Sequence, residues 1–298
     1  MDADVILDRR RLKRRLAVWR TLAILAVVGL AAGLTAELVL PSSEHIARLK
    51  VAGLIIEDAR RDEMLADLVE DDKARALIVR INSPGGTTAG SEELFQGLRR
   101  VSEKKPVIAV IGTIGTSGGY IVAAAANHVL ARETSLTGSI GVLLQTAEFT
   151  ELLAKLGISA EVLKSSPLKG QPSPTEAMTD EARQALGQVL SDSYDWFVEL
   201  VRERGELSAE EAALVTDGRL FTGRQAVANR LIDGIGGERE ARAWLETERE
   251  ISSELPMVDL DYHERPSVIS QFTNSLVGKV LSFEPLILDG LVSVWQPH

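Results

Sequence analysis

The sequence predicts an α/β protein: βαβ units wound about a mostly parallel sheet, preceded by one N-terminal transmembrane helix. Three observations predict it. Short β-rich runs alternate with amphipathic stretches through the middle of the chain; 45% of the 298 residues are hydrophobic, enough to fill a large core; and an uncharged apolar run follows a basic N-terminal tip.

The elements follow in chain order. Residues 1–20 hold seven basic side chains (Arg9, Arg10, Arg11, Lys13, Arg14, Arg15, Arg20) and three acids (Asp2, Asp4, Asp8). The next stretch, TLAILAVVGLAAGLTAELVLP, carries no charge from Thr21 to Ala36 and only Glu37 before Pro41. About 20 apolar residues span a bilayer as a helix, and Glu37 lies near the far end, within reach of the interface. Residues 21–40 are therefore expected to anchor the chain as a single pass through the cytoplasmic (inner) membrane. The basic segment 1–20 stays cytoplasmic, and everything after Pro41 lies on the outer, periplasmic side. A cleaved signal peptide would want small residues at −3 and −1, which Leu34-Thr35-Ala36 supplies poorly; a buried core helix is the other alternative.

Past the anchor, candidate strands are IARLKVAGLI (46–55), ALIVRIN (76–82), PVIAVIG (106–112), HVLARE (128–133) and AEVLKS (160–165). Between them, 91–103 places Leu94 and Leu98 at helical spacing, and 145–157 ends on a glycine C-cap signal. A long helix from about Asp180 to Arg204 puts Leu186, Leu190, Phe197 and Val201 on one face, and Ser208-Ala209-Glu210-Glu211 reads as a capping box opening another. These elements make one domain over 45–240. Residues 250–298 form a C-terminal extension in which Ile269, Phe272, Leu276, Val280 and Phe283 recur at helical spacing. Such a segment needs cover, from its own domain, from another subunit or from the membrane surface.

Composition removes whole classes of function. With no cysteine there are no disulfides, thiolate nucleophiles or Cys-based metal sites. The formal net charge is −10 although residues 1–20 are basic, so the folded body is strongly acidic and nucleic acid is excluded as a partner.

Two glycine turns carry the candidate chemistry. INSPGG (81–86) and GTSGGY (115–120) each follow a β-rich run directly, and the second places Ser117 at the start of a helix. Taken singly, each is an ordinary tight βα turn. At the ends of neighbouring parallel strands they would face one crevice and offer two backbone N–H groups to one reacting oxygen, an oxyanion hole. A serine nucleophile also needs a base. His45 follows the anchor, His263 lies in the tail and His298 ends the chain, which leaves His128 as the imidazole candidate. The other route is a lysine kept neutral by burial, for which Lys164 and Lys169 in EVLKSSPLKGQPSP both qualify. An ammonium near pKa 10.4 must fall by roughly 2 to 3 units to serve at neutral pH.

The ordered set NSPGG, TSGGY, TGSIGV and a K-S-x-x-x-K stretch before S-P resembles the signal peptide peptidase A family of membrane-anchored serine peptidases (peptidase family S49), single-domain type, of the ClpP/crotonase fold. The likeness covers roughly residues 46–237 and includes GRLFTGRQAVANRLIDGIGG (218–237). It implies Ser117 as nucleophile, Lys169 as general base and Ser139 as the hydroxyl that orients the lysine. It also implies an oxyanion hole from the N–H groups of Gly86 and Gly118. Family members often carry an acid after the base lysine; here it is Gly170, which keeps Lys164 as fallback. The resemblance further implies an acyl-enzyme mechanism on residual signal peptides and other short or unfolded segments, with no cofactor, metal or nucleotide. It implies a homo-oligomer in which one subunit supplies the serine and its neighbour the lysine. The alternatives are a crotonase-type coenzyme A thioester enzyme, or an inactive membrane scaffold of the same fold.

Overall fold

In a computed structural model of the chain, the residues described are 15–16, 18–25, 43–260 and 292–294. The chain divides into two units, Met1–Ser43 and Glu44–His298. In the first, residues 18–25 form a helix, α1. Among the described residues no helix is long and apolar enough to cross a membrane; residues 26–42, most of the expected anchor, lie outside them. The 269–283 pattern, His263 and His298 lie outside them too.

The second unit is built on a mixed, mostly parallel sheet. β1 (His45–Ile55) pairs parallel with β2 (Ala74–Thr87), and β2 with β3 (Val107–Thr116). Their apolar runs are nearly continuous because a central parallel strand is covered on both faces. Alternation sorts the side chains. Leu77, Val79 and Ile81 pack with Leu65 and Leu68 of α2 (Ala59–Glu70) and Leu94 and Leu98 of α3 (Thr88–Ser102). Ala76 and Ile78 face the other way, in a second cluster with Ala241 and Leu245 of α9 (Glu238–Arg249).

β4 (His128–Ala131) and β5 (Leu136–Gly138) both run parallel to β3, the first along Ile108–Ile111, the second along Ile114–Thr116. Between β3 and β4 lies α4 (Gly118–Ala124), buried throughout. β6 (Leu220–Thr222) closes antiparallel on β5, β7 (Gly234–Ile235) parallel on β4, and β8 (Met257–Leu260) parallel on the outer side of β1. β9 (Val292–Val294) lies antiparallel on the end of β2, with Ser293 opposite Gly86.

The long helix is α6 (Asp180–Gly205), with Phe197 and Val201 in the core. The capping box opens α7 (Ala209–Val215): Ser208 Oγ accepts from the Glu211 N–H at 3.2 Å, and the Glu211 carboxylate accepts from the Ser208 N–H at 2.8 Å.

Three expectations are corrected. Residues 160–165 are not a strand: Val162 and Leu163 are exposed, the latter at 92%, and β-forming residues make no strand without a neighbour to pair. The helix expected over 145–157 narrows to α5 (Thr150–Lys155), none of whose residues is buried. The sheet also runs past residue 240: a short helix, α8 (Gly223–Ala228), leads through β7 to α9, and β8 then adds to the edge of β1.

Candidate active site

Parallel pairing of β2 and β3 brings their C-terminal ends to one side of the sheet, where both glycine turns lie. The turns touch. A Cβ built at Gly118 would sit 2.3 Å from Ser91 Oγ and 3.1 Å from the Gly86 nitrogen, and one built at Gly86 would sit 1.7 Å from the Ile55 carbonyl oxygen. As packed, a side chain at either position would clash, and a Cβ on one of the two residues expected to donate N–H groups to an oxyanion would meet the nitrogen of the other.

Ser117 caps α4 with φ 55° and ψ −120°, and is 1% exposed. That region costs a non-glycine residue about 1 to 3 kcal/mol, and residues held there cluster at functional sites. The surroundings fix it. The Ser117 N–H donates to the Gly138 carbonyl at 2.8 Å, and the Ser117 carbonyl accepts from Tyr120 and Ile121 at 2.8 and 3.0 Å. Ser139, the next residue after that Gly138 acceptor, is half-buried, has φ 52° and donates its N–H to the Arg219 carbonyl at 2.8 Å. Pairing of Thr116 with Gly138 thus brings the Ser139 turn beside the Ser117 turn.

Among the described residues, no hydrogen bond or ion pair ties either candidate lysine to this cluster. Lys169 is exposed, on a turn closed by its own N–H to the Ser166 carbonyl at 3.1 Å. Lys164 is half-buried and its ammonium is paired with Glu176. His128 is at the wrong end of the sheet. It stands opposite Ile108, whereas Ser117 follows Thr116, nine residues further along β3, about 30 Å of extended chain. There it stacks on Trp244 at 4.7 Å with Asp233 3.7 Å away, and burial holds its imidazole below the usual value.

Buried hydroxyls within or close to these motifs carry no signal of their own in the sequence. Ser83 and Thr116 are fully buried and bond the backbone of the glycine turns; Ser91 Oγ donates to the Thr87 carbonyl at 2.8 Å, and Thr137 Oγ1 to the Gly115 carbonyl at 2.8 Å. Ser83 lies in NSPGG, Thr116 in TSGGY and Thr137 in TGSIGV, but a serine or threonine near a glycine reads as turn chemistry alone.

A buried, strained serine at the end of a parallel strand, beside two adjoining glycine amides, is the arrangement of a serine-type hydrolase. The comparisons agree. The model of Peptidase family S49 matches residues 99–252. A protein of Synechocystis sp. named as a protease is 39% identical over 224 residues, covering 75% of this chain and 80% of that protein. One from Enterococcus faecium, named as signal peptide peptidase SppA, is 29% identical over 273 residues, 86% of this chain and 78% of its own. Protease 4 of Salmonella typhi is 29% identical over 224 residues, 74% of this chain but 35% of that protein. The chain belongs to peptidase family S49.

Proposed function

We propose that the chain is a membrane-anchored serine endopeptidase that cuts residual signal peptides and other short or unfolded segments with a Ser117–Lys169 dyad. The observation that carries this reading is the close approach of the Gly86 and Gly118 turns, where a Cβ on Gly118 would meet the Gly86 nitrogen, beside the strained, buried Ser117. Neutral Lys169 takes the Ser117 hydroxyl proton, the alkoxide attacks a peptide carbonyl, and the N–H groups of Gly86 and Gly118 hold the tetrahedral oxyanion. The lysine returns the proton to the leaving amine, and water, deprotonated in turn, releases the acyl group. Ser139 orients the lysine.

A base lysine must be drawn out of water. Within one chain Lys169 is exposed, on a segment whose Phe149, Leu152, Leu156, Ile158 and Leu163 are exposed as well. Covering that segment with a second copy would bury the apolar side chains and carry Lys169 into a neighbour's site; the dyad is then shared between subunits. A peptide substrate is supported by the Gly85–Thr87 edge, which takes β9 as an antiparallel strand. The anchor at 21–40 rests on the uncharged run and the basic residues before it, and it would present short membrane-borne peptides to the domain.

A fluorophosphonate probe tests the assignment. Labelling of the full-length protein that maps to Ser117 and vanishes in Ser117→Ala supports it. Unchanged peptide hydrolysis by Ser117→Ala would overturn it, as would intact coenzyme A thioester turnover without labelling.

A further inference from the structure

We infer that Ser83 and Thr116 are positioning residues that hold the Gly86 amide in register with Ser117; the inference rests on the Ser117 reading above. The pairing of β2 with β3 extends to Ser83 opposite Gly115 and no further. Beyond that point Pro84, Gly85 and Gly86 have no ladder to the strand that delivers the nucleophile. Pro84 has no N–H to donate, and Gly85 sits at φ 116°, where a glycine backbone deforms at little cost. On its other side the turn still runs beside β1, with Leu54 opposite Gly85 and Ile55 opposite Gly86, but that pairing does not fix where the Gly86 N–H stands relative to the strand that carries Ser117.

Two fully buried hydroxyls reinforce the turn, one toward β1 and one across the gap to β3. Ser83 Oγ donates to the Gly53 carbonyl at 2.6 Å and accepts from the Gly85 N–H at 3.1 Å, tying the turn to the end of β1. Thr116 Oγ1 donates to the Pro84 carbonyl at 3.2 Å, tying the same turn to the residue immediately before the nucleophile. Successive peptide groups ahead of Gly86 are thus clamped from both neighbouring strands. Neither hydroxyl needs to touch substrate. Each acts through the Gly86 amide, which must stay near 3 Å from an oxygen that exists only in the transition state, and a displacement of about 1 Å there costs on the order of 100-fold.

The test uses Thr116→Val, Thr116→Ser and Ser83→Ala in the full-length protein. Thr116→Val keeps shape but loses the donor, Thr116→Ser keeps the donor, and Ser83→Ala removes one oxygen. Rates are expressed per active site, counted by carrying fluorophosphonate labelling to completion, so unfolded protein drops out of the value. Expected are falls in kcat of about 10- to 100-fold for Thr116→Val and Ser83→Ala, with KM and the pH profile unchanged. Affinity for a peptide aldehyde, whose adduct carries the oxyanion, should fall by the same factor, and Thr116→Ser should restore wild-type behaviour. Wild-type kcat per titrated site in both donor-removing variants would overturn the inference, as would an equal loss in Thr116→Ser. Should Thr116→Val yield no folded protein, Ser83→Ala decides alone. These outcomes leave the role of Ser117 standing; that role fails on the separate results named above, retained hydrolysis in Ser117→Ala or thioester turnover without labelling.

Discussion

Replacing Gly118 with alanine asks how much room the proposed oxyanion hole has. The new Cβ would lie 2.3 Å from Ser91 Oγ and 3.1 Å from the Gly86 nitrogen, where ordinary contact begins at 3.4 Å, so about 1 Å must be found. Ser91 cannot supply it, being fully buried with its hydroxyl committed to the Thr87 carbonyl at 2.8 Å. The displacement therefore falls on the first turns of α3 and α4, the first preceded by Gly86 and the second begun by Gly118, the two proposed amide donors. Losing one oxyanion donor costs on the order of 10²- to 10³-fold in kcat, about 3 to 4 kcal/mol. Gly118→Ala should show a loss of that size in cleavage of a quenched fluorescent peptide, per titrated active site. Adding Ser91→Ala removes the nearest obstacle and leaves the Ser91 Cβ, 3.2 Å away, as the next contact on that side chain. On its own that change should cost about 1 kcal/mol of stability through loss of the Ser91–Thr87 hydrogen bond. The double variant should recover at least tenfold over Gly118→Ala. Wild-type kcat in the single variant would refute the reasoning, as would a double variant no better than the single.

Three further predictions follow from the same structure. Mixing inactive Ser117→Ala with inactive Lys169→Ala subunits, then unfolding and reassembling them, should restore part of the peptidase activity; none returns, with mixed oligomers demonstrated, if the dyad forms within one chain. Protease added to spheroplasts should reach the domain after residue 41 without permeabilisation, and accessibility only in permeabilised cells would mean the opposite orientation. Burial lowers the His128 imidazole below its usual 6.5, so the folded state favours its neutral form. The stability tied to that neutral form is present above pH 6.5 and is lost as pH falls through the lowered value. His128→Phe, which keeps a ring on Trp244, should flatten the fall in Tm between pH 7 and pH 5; an unchanged slope would count against it.

What was legible in the sequence follows physical lines. ALIV at 76–79 and VIAVI at 107–111 read as strands because the centre of a parallel sheet is dry on both faces, and glycine turns at their ends read as candidate donors because ligands gather at that edge. AEVLKS read as a strand for the same compositional reason and is not one: whether an edge lies nearby to pair with is a property of the fold, not of six residues. β8 went unread because its partner β1 lies some 200 residues earlier in the chain. Ser117, Ser139, Gly86 and Gly118 could be named from motifs, but the hydroxyls at Ser83 and Thr116 become meaningful only once the β2–β3 ladder is seen to stop at Ser83. Lys169 is the limiting case. A spacing of residues does not say from which copy a side chain arrives.

The parting of β2 from β3 beyond Ser83 has a consequence for what the enzyme leaves alone. An open strand edge on a protein surface is normally an aggregation hazard, which sheets blunt with charge, bulges or cover. Here the open edge is three residues long, Gly85–Thr87, and β9 already lies along it, so another chain meeting the protein finds little to add to. A chain that exchanges with β9 must present a bare, extended backbone. Folded proteins have already spent theirs in their own helices and sheets, so discrimination between native neighbours and loose peptide would need no recognition of sequence at all.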